Sequence, residues 1–220
     1  MMFNLHTHAA SGNPDVFEII NRYPYEEIDV PFFSTGIHPW HIDADKIEEH
    51  LAIIEKRLQM DNCLALGECG LDKRIEIPLQ LQTEIFEKQL LLAIKYQKPV
   101  ILHLVAAFQE LIEIKNKLKP NVPLVIHGFS KNGQVAKQLL NNGFYLSFGK
   151  YLLRNPELGD VFANVPQVRF FLETDTIEES IVQVYEKAAE ARNIIIDELT
   201  LIVGDNFKTV FKNGGMAGKG

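Results

Sequence analysis

Two stretches of the chain repeat one pattern, in which a helix-like segment, a proline and a short apolar run are followed by a histidine. The first predicted helix covers 78–97 and leads into 99–103, and the second covers 108–118 and leads into 123–127. A short apolar run between two helices is typical of a buried strand in a parallel sheet. Because helices connect such strands, their carboxyl ends meet at one edge of the sheet. The pattern therefore restricts the chain to α/β folds, with His103 and His127 at that edge.

The same alternation extends along the chain and predicts eight strands, with regular helices in the second half and poor ones between the first three strands. We predict a (β/α)8 TIM-like barrel, with somewhat reduced helices near the N-terminus, as a single domain over 1–212 followed by a flexible tail over 213–220. A doubly wound open sheet is the alternative, although it would gather polar residues from fewer strands.

Polar residues occur where the apolar runs end, which is where a barrel collects its functional groups. His6 and His8 are two positions apart, so a strand would place both imidazoles on one face. The strand predicted over 63–67 stops just before Glu68, and a strand ending at residue 172 precedes Asp175. The full set is His6, His8, His38, Glu68, His103, His127 and Asp175.

Four of these histidines and the two carboxylates form a suitable ligand set for two divalent ions, with Zn, Mn or Mg as candidates. One carboxylate could bridge the ions. Such ions acidify water and offset charge on a phosphoryl or carbonyl oxygen, so the set favours hydrolysis.

Composition limits the class of protein and of partner. The chain has 220 residues, is 46% hydrophobic and carries a formal net charge of −7, which gives no general basic surface for nucleic acid. The two cysteines, Cys63 and Cys69, are too few for a disulfide framework, so we predict buried packing thiols. Without an apolar run long enough to span a bilayer or an N-terminal signal, we expect a cytoplasmic protein without membrane partners.

The chain resembles the TatD family of metal-dependent deoxyribonucleases, which belong with the amidohydrolase-like barrels. The motifs follow the family order over residues 5–175. They are Leu5-His6-Thr7-His8, Gly36-Ile37-His38-Pro39, Gly67-Glu68-Cys69-Gly70-Leu71-Asp72, Pro99-Val100-Ile101-Leu102-His103, Ile126-His127-Gly128-Phe129-Ser130 and Glu173-Thr174-Asp175. The resemblance implies a metal-dependent hydrolase that cleaves phosphodiester bonds of DNA with a metal-activated water.

The resemblance also implies a role for each residue of the set. A first metal would be held by His6, His8 and Asp175, a second by His103 and His127, and Glu68 would bridge them. Asp175 would also act as general base, and His38 would approach the substrate phosphate rather than bind metal. The catalytic residues are thus expected to be Asp175, Glu68 and His38.

Each assignment has a structural alternative. Glu68 could form an ion pair with Lys73 or Arg74, Asp175 could cap the following helix, and His38 could pack under Trp40. Two further acids are expected outside the ligand set: Glu173 as a second-shell residue or an outward group, and Asp72 as a turn residue.

The chain departs from the family pattern at Asn4, Lys73, Gly128 and Lys131, and none of these positions is a proposed ligand. A helix predicted over 177–192 follows Asp175 almost at once, so a substrate-contacting loop of the family is missing. This leaves two other functions open: a two-metal hydrolase of a small phosphoester or amide, and a non-catalytic protein that keeps the metal pocket. If DNA is the substrate, the expected contacts are Lys73, Arg74, Lys131, Lys150 and Arg154.

Overall fold

The fold is described by a computed structural model in which residues 1–211 are defined, so the predicted tail over 213–220 lies outside the described residues. Eight strands form one sheet in chain order. They are β1 Met2–Thr7, β2 Val16–Asn21, β3 Phe33–Thr35, β4 Cys63–Asp72, β5 Val100–Val105, β6 Leu124–Ile126, β7 Tyr145–Phe148 and β8 Phe170–Leu172. A doubly wound sheet would not keep the strands in chain order. The predicted (β/α)8 fold class is confirmed.

Eight α-helices accompany the strands within residues 1–211. They are α1 Ile47–Leu58, α2 Leu79–Tyr96, α3 Phe108–Leu118, α4 Gly133–Asn141, α5 Lys150–Arg154, α6 Pro156–Ala163, α7 Ile181–Arg192 and α8 Ile196–Val210. In this part of the chain no α-helix lies between β1 and β3, as predicted. The short helices α5 and α6 were not predicted. The helix expected from residue 177 begins only at Ile181, because Ser180 and Gln183 form a capping box there.

The chain divides into two compact units, one of residues 1–20 and 125–211 and the other of residues 21–124. The predicted single domain over 1–212 stays a prediction. In the first unit, Phe3 of β1 stacks on Phe207 of α8 with ring centroids 4.7 Å apart. The buried hydroxyl of Tyr185, from α7, accepts a hydrogen bond from the Phe3 N–H and donates one to the Phe3 carbonyl. These contacts fix β1, and with it the His6 region.

In the second unit, β3, β4 and β5 pair in parallel, and all ten residues of β4 are buried. The prediction that this strand ends at Gly67 was wrong, because β4 continues to Asp72. Its glycines do not end the strand; they allow close approach of β5. A Cβ atom at Gly70 would lie 2.0 Å from the His103 carbonyl oxygen, and its φ is +145°. Glu68 therefore lies within a buried strand and not at its end.

We expect Gly70→Ala to lower the free energy of unfolding by about 3 kcal/mol, because the methyl group has no space and the backbone conformation disfavours a side chain. Gly133→Ala is the matched control, since a Cβ there meets no atom within 4 Å. Urea unfolding of both variants tests this. A Gly70→Ala protein as stable as the Gly133→Ala protein would contradict the close approach of β4 and β5.

Candidate metal centre

The first unit brings His6 and His8 to Asp175 through backbone pairing. Thr7 forms a parallel bridge with Asp175. The Asp175 N–H donates to the His6 carbonyl at 2.9 Å, and the His8 N–H donates to the Asp175 carbonyl at 3.2 Å. The side chains converge as a result: Asp175 Oδ1 lies 3.6 Å from His6 Nε2 and 3.5 Å from His8 Nε2. These three residues were predicted as one ligand set, and the structure places them together.

His127 joins the same group. Its ring centroid is 4.6 Å from that of His6. One ligand atom from each of His6, His127 and Asp175 lies within 4.8 Å of the others, which is close enough to share one ion. We call His6, His8, His127 and Asp175 the first cluster.

Glu173 orients His127. The acid is buried, its Oε1 accepts the Gly128 N–H at 2.6 Å, and His127 Nδ1 lies 3.3 Å from the same oxygen. A carboxylate in this position accepts the Nδ1 proton, so Nε2 carries the lone pair that can bind metal. The expectation of an outward group was wrong, and that of a second-shell residue fits these contacts. The spacing to Asp175 was the available signal, because both residues follow β8 two positions apart.

The second unit forms its own group around Glu68. Glu68 Oε1 lies 3.1 Å from His38 Nε2 and 3.0 Å from His103 Nδ1, and one ligand atom from each of the three lies within 4.8 Å of the others. We call His38, Glu68 and His103 the second cluster. Glu68 is 4% exposed, so its charge is removed from water and depends on these imidazoles for compensation.

The tautomer of His38 follows from its backbone environment. The Trp40 N–H donates to His38 Nδ1 at 3.1 Å, and an N–H can only donate. Nδ1 is therefore unprotonated and Nε2 carries the proton toward Glu68. Burial lowers the pKa of His38, against the raising effect of Glu68, which favours this neutral form. In this tautomer His38 can donate a hydrogen bond from Nε2 but cannot bind metal through it.

Asp72 holds the other side of His103. Its Oδ2 accepts the Trp40 indole N–H at 2.7 Å and lies 3.4 Å from His103 Nε2. Burial raises the pKa of Asp72, but the hydrogen bonds from Trp40, the Arg74 backbone N–H and His103 outweigh it and leave the pKa below its usual value. The expectation of a turn residue was wrong, because β4 reaches Asp72. A predicted strand that continued to residue 72 would have placed residues 68 and 72 on one face, because side chains alternate with a period of two.

The structural alternatives for the two acids are not supported. Lys73 pairs with Glu110, and the Arg74 backbone N–H donates to Asp72. The cap of α7 is Ser180, so Asp175 does not begin that helix. His38 does contact the Trp40 ring, at 5.3 Å between centroids, in addition to lying beside Glu68.

The buried cysteines take no part in this chemistry. Both are free and buried, as predicted for packing residues. Burial raises the pKa of Cys63 to about 12 and raises that of Cys69 as well, so both are thiols at neutral pH.

Both clusters fit divalent metal ions. The first cluster offers imidazole nitrogens and the Asp175 carboxylate. The second offers His103 and Glu68, with His38 as a neighbouring hydrogen-bond donor. Imidazole and carboxylate form the donor set that zinc and manganese take and that magnesium shares in part. Asp72 and Glu173 supply the outer carboxylates that usually orient ligating histidines.

A family model described as TatD related DNase matches residues 2–212. The chain belongs to the TatD family. It is 30% identical over 207 residues to YabD of Bacillus subtilis, a metal-dependent hydrolase, and the match covers 85% of this chain and 80% of YabD. It is 30% identical over 151 residues to the 3′-5′ ssDNA/RNA exonuclease TatD of Erwinia tasmaniensis, covering 64% of this chain and 56% of the exonuclease.

The solved structure of the TatD homologue YJJV from Escherichia coli K12 has the same fold. The TM-score is 0.80 at 22% identity, with 96% of this chain and 98% of YJJV covered. The family predicted from the motifs is thus confirmed, and so is the class of enzyme: the chain is a metal-dependent hydrolase. Within residues 1–211, no helix is long and apolar enough to cross a bilayer.

We expect Glu173→Gln to weaken binding of Mn²⁺ or Zn²⁺ by about 10- to 100-fold, because His127 Nδ1–H loses its anionic acceptor. Glu178→Gln is the matched control, since Glu178 is exposed. Competition with a chelating dye measures both affinities. Equal affinities in the two variants would show that Glu173 does not orient a metal ligand.

Proposed function

We propose that this chain hydrolyses phosphodiester bonds of DNA with two divalent ions held by His6, His8, Glu68, His103, His127 and Asp175. The observation that carries the proposal is the pair of clusters, each with imidazole and carboxylate donors close enough to share an ion. The family model and the named exonuclease relative support DNA as the substrate. When bound, divalent ions supply Lewis acidity that lowers the pKa of water and offsets negative charge on a phosphoryl group.

Asp175, His38 and Glu68 then have separate roles. Asp175 takes the proton of the attacking water, for which its carboxylate, beside two imidazoles, is well placed. His38 donates a hydrogen bond from its Nε2–H to a phosphate oxygen, and the leaving oxygen takes up the proton that Asp175 removed from water. Glu68 would hold the ions and offset their positive charge, as the family resemblance implies. The identity of the ions is left to experiment among Zn, Mn and Mg.

A small phosphoester is the second candidate substrate, and the charges near the predicted DNA contacts favour it. Of the five expected cations, Lys73 is paired with Glu110 and Arg154 with Glu179. The segment between Asp175 and α7 is only 176–180, too short for a long substrate loop. With a net charge of −7, a polyanion gains little from the protein as a whole.

The two substrates are separated by assays on metal-reconstituted protein, with metal content followed by elemental analysis. Cleavage of a labelled single-stranded oligonucleotide that falls steeply with added salt would support DNA. Cleavage of a generic phosphodiester without cleavage of oligonucleotides at low salt would support the small substrate and overturn the DNA proposal.

We expect Glu68→Gln and Asp175→Asn to differ in metal content. The first keeps the shape of the side chain but removes the negative charge that would offset bound cations, so metal content and hydrolysis should fall together. The second still offers an amide oxygen to an ion but cannot accept a proton, so some metal should remain while hydrolysis is lost.

Elemental analysis and initial rates on the folded variants provide the measurement. Purely structural acids would instead cost about 0.5 to 2 kcal/mol of stability with metal and rate retained. Wild-type metal content and rate in Glu68→Gln would refute the bridging role.

We expect His38→Ala to keep its metal while kcat falls by about 100-fold or more, because alanine cannot donate the hydrogen bond that Nε2–H gives to the phosphate. Metal content and kcat are measured on the same preparation. Loss of metal in parallel with activity would make His38 a ligand and contradict its role as donor.

A further inference from the structure

The second unit exposes an aromatic surface beside the second cluster. Trp40 and Tyr25 are each 57% exposed, whereas most phenylalanines of the chain are buried. Tyr25 stacks on Tyr23 with centroids 5.5 Å apart, Tyr23 lies 6.4 Å from the His38 ring, and His38 lies 5.3 Å from Trp40. We call Tyr23, Tyr25 and Trp40 the aromatic strip. It runs past His38, the proposed hydrogen-bond donor to the phosphate.

Trp40 is held rigidly although it is exposed. Its indole N–H donates to Asp72 and its backbone N–H donates to His38, so both of its donors are satisfied. Pro39 begins the short 3-10 turn that carries the ring. The indole also lies 5.7 Å from His103, centroid to centroid. A fixed, exposed apolar ring next to catalytic groups is suited to a flat, uncharged group of a substrate.

The charges around the strip disfavour a phosphate backbone there. The Glu26 carboxylate accepts the Tyr23 N–H, and Asp29 neutralises Arg22. An uncharged base is not repelled by these acids, whereas a phosphate is. Stacking on aromatic rings also contributes affinity that does not depend on a net positive charge, and this chain has a formal net charge of −7.

We propose that Trp40, together with Tyr23 and Tyr25, stacks the unpaired bases of a nucleic-acid strand whose scissile phosphate lies at the second cluster. This inference rests on the proposed nuclease function and adds the residues that bind the bases. Bases within a duplex already stack on their neighbours, so only single strands and frayed ends offer a free base face.

Trp40 is the only tryptophan of the chain, so its fluorescence reports directly on stacking. Metal-loaded protein is titrated with a short oligothymidylate linked by phosphorothioates, which slow cleavage, and with an abasic oligomer of equal length and linkage. We expect saturable quenching by the oligothymidylate and little change with the abasic oligomer. Equal responses to both oligomers would overturn the proposal, because they differ only in the bases.

Variants test the energetic contribution by fluorescence anisotropy of a labelled oligothymidylate. Trp40→Leu should weaken binding by about fivefold or more, and Trp40→Phe, which keeps a stacking ring, should recover part of the loss. Leu91→Ala removes another exposed apolar side chain, from α2, and serves as the matched control. Equal affinities of Trp40→Leu and Leu91→Ala would overturn the proposal.

Two further measurements separate the possible failures. If the wild-type protein cleaves single strands and the Trp40→Leu and Leu91→Ala variants cleave them at equal rates, the role of the aromatic strip is refuted and the nuclease function is not. If the wild-type protein binds oligothymidylate with quenching but cleaves no phosphodiester, the nuclease function is refuted and the stacking is not.

Sedimentation tests whether a second copy of the chain covers the aromatic strip. Self-association that is lost in Trp40→Leu would make the strip a protein interface and overturn the proposal.

Discussion

The buried charge of Glu68 is the constraint on which the second unit depends. A carboxylate inside a strand loses its hydration, and only hydrogen bonds or cations can compensate for that loss. His38 and His103 approach the same oxygen, and each is oriented by a further partner, the Trp40 backbone and the Asp72 carboxylate. The polar groups therefore form a connected network in which the position of one ring fixes the next. The contacts with His38 and His103 compensate for the hydration that Glu68 loses on burial, and the same contacts fix the positions of both rings.

Much of the fold could be predicted because helices and strands impose different periods on the sequence. The helix predicted over 108–118 coincides with α3, since its apolar positions repeat regularly and a proline follows closely. The end of β4 could not be predicted, because glycine weakens the interior of a strand and is frequent in turns. Here Gly67 and Gly70 are needed within it, since Ile101 and His103 of β5 come too close for any Cβ atom. Such an approach depends on a neighbouring strand, which local sequence does not reveal.

The candidate site also combines local features, which could be predicted, with contacts between distant parts of the chain, which could not. Within each unit the expected residues lie close together: the first cluster in one unit and the second cluster in the other. The supporting acids were harder to place: the environment of Asp72 depends on the length of β4, and that of Glu173 on the turn at Gly128. The protonation of His38 depends on a backbone hydrogen bond from Trp40, which requires the 3-10 turn itself. The residue types of the ligands can thus be predicted from the sequence, whereas the contacts of Asp72, Glu173 and His38 depend on the three-dimensional structure.

The contact of Glu173 with the Gly128 N–H has a consequence for how the enzyme acquires its ions. The carboxylate already has a strong backbone donor, so the residues around His127 are organised by the protein before any ion arrives. A zinc finger, in contrast, folds only on binding metal. Protein sites of this kind do not choose among first-row ions by affinity alone, which follows a general order of the elements. The ion found in the working enzyme would then reflect supply inside the organism, and a change of growth medium could change the catalyst without changing the fold.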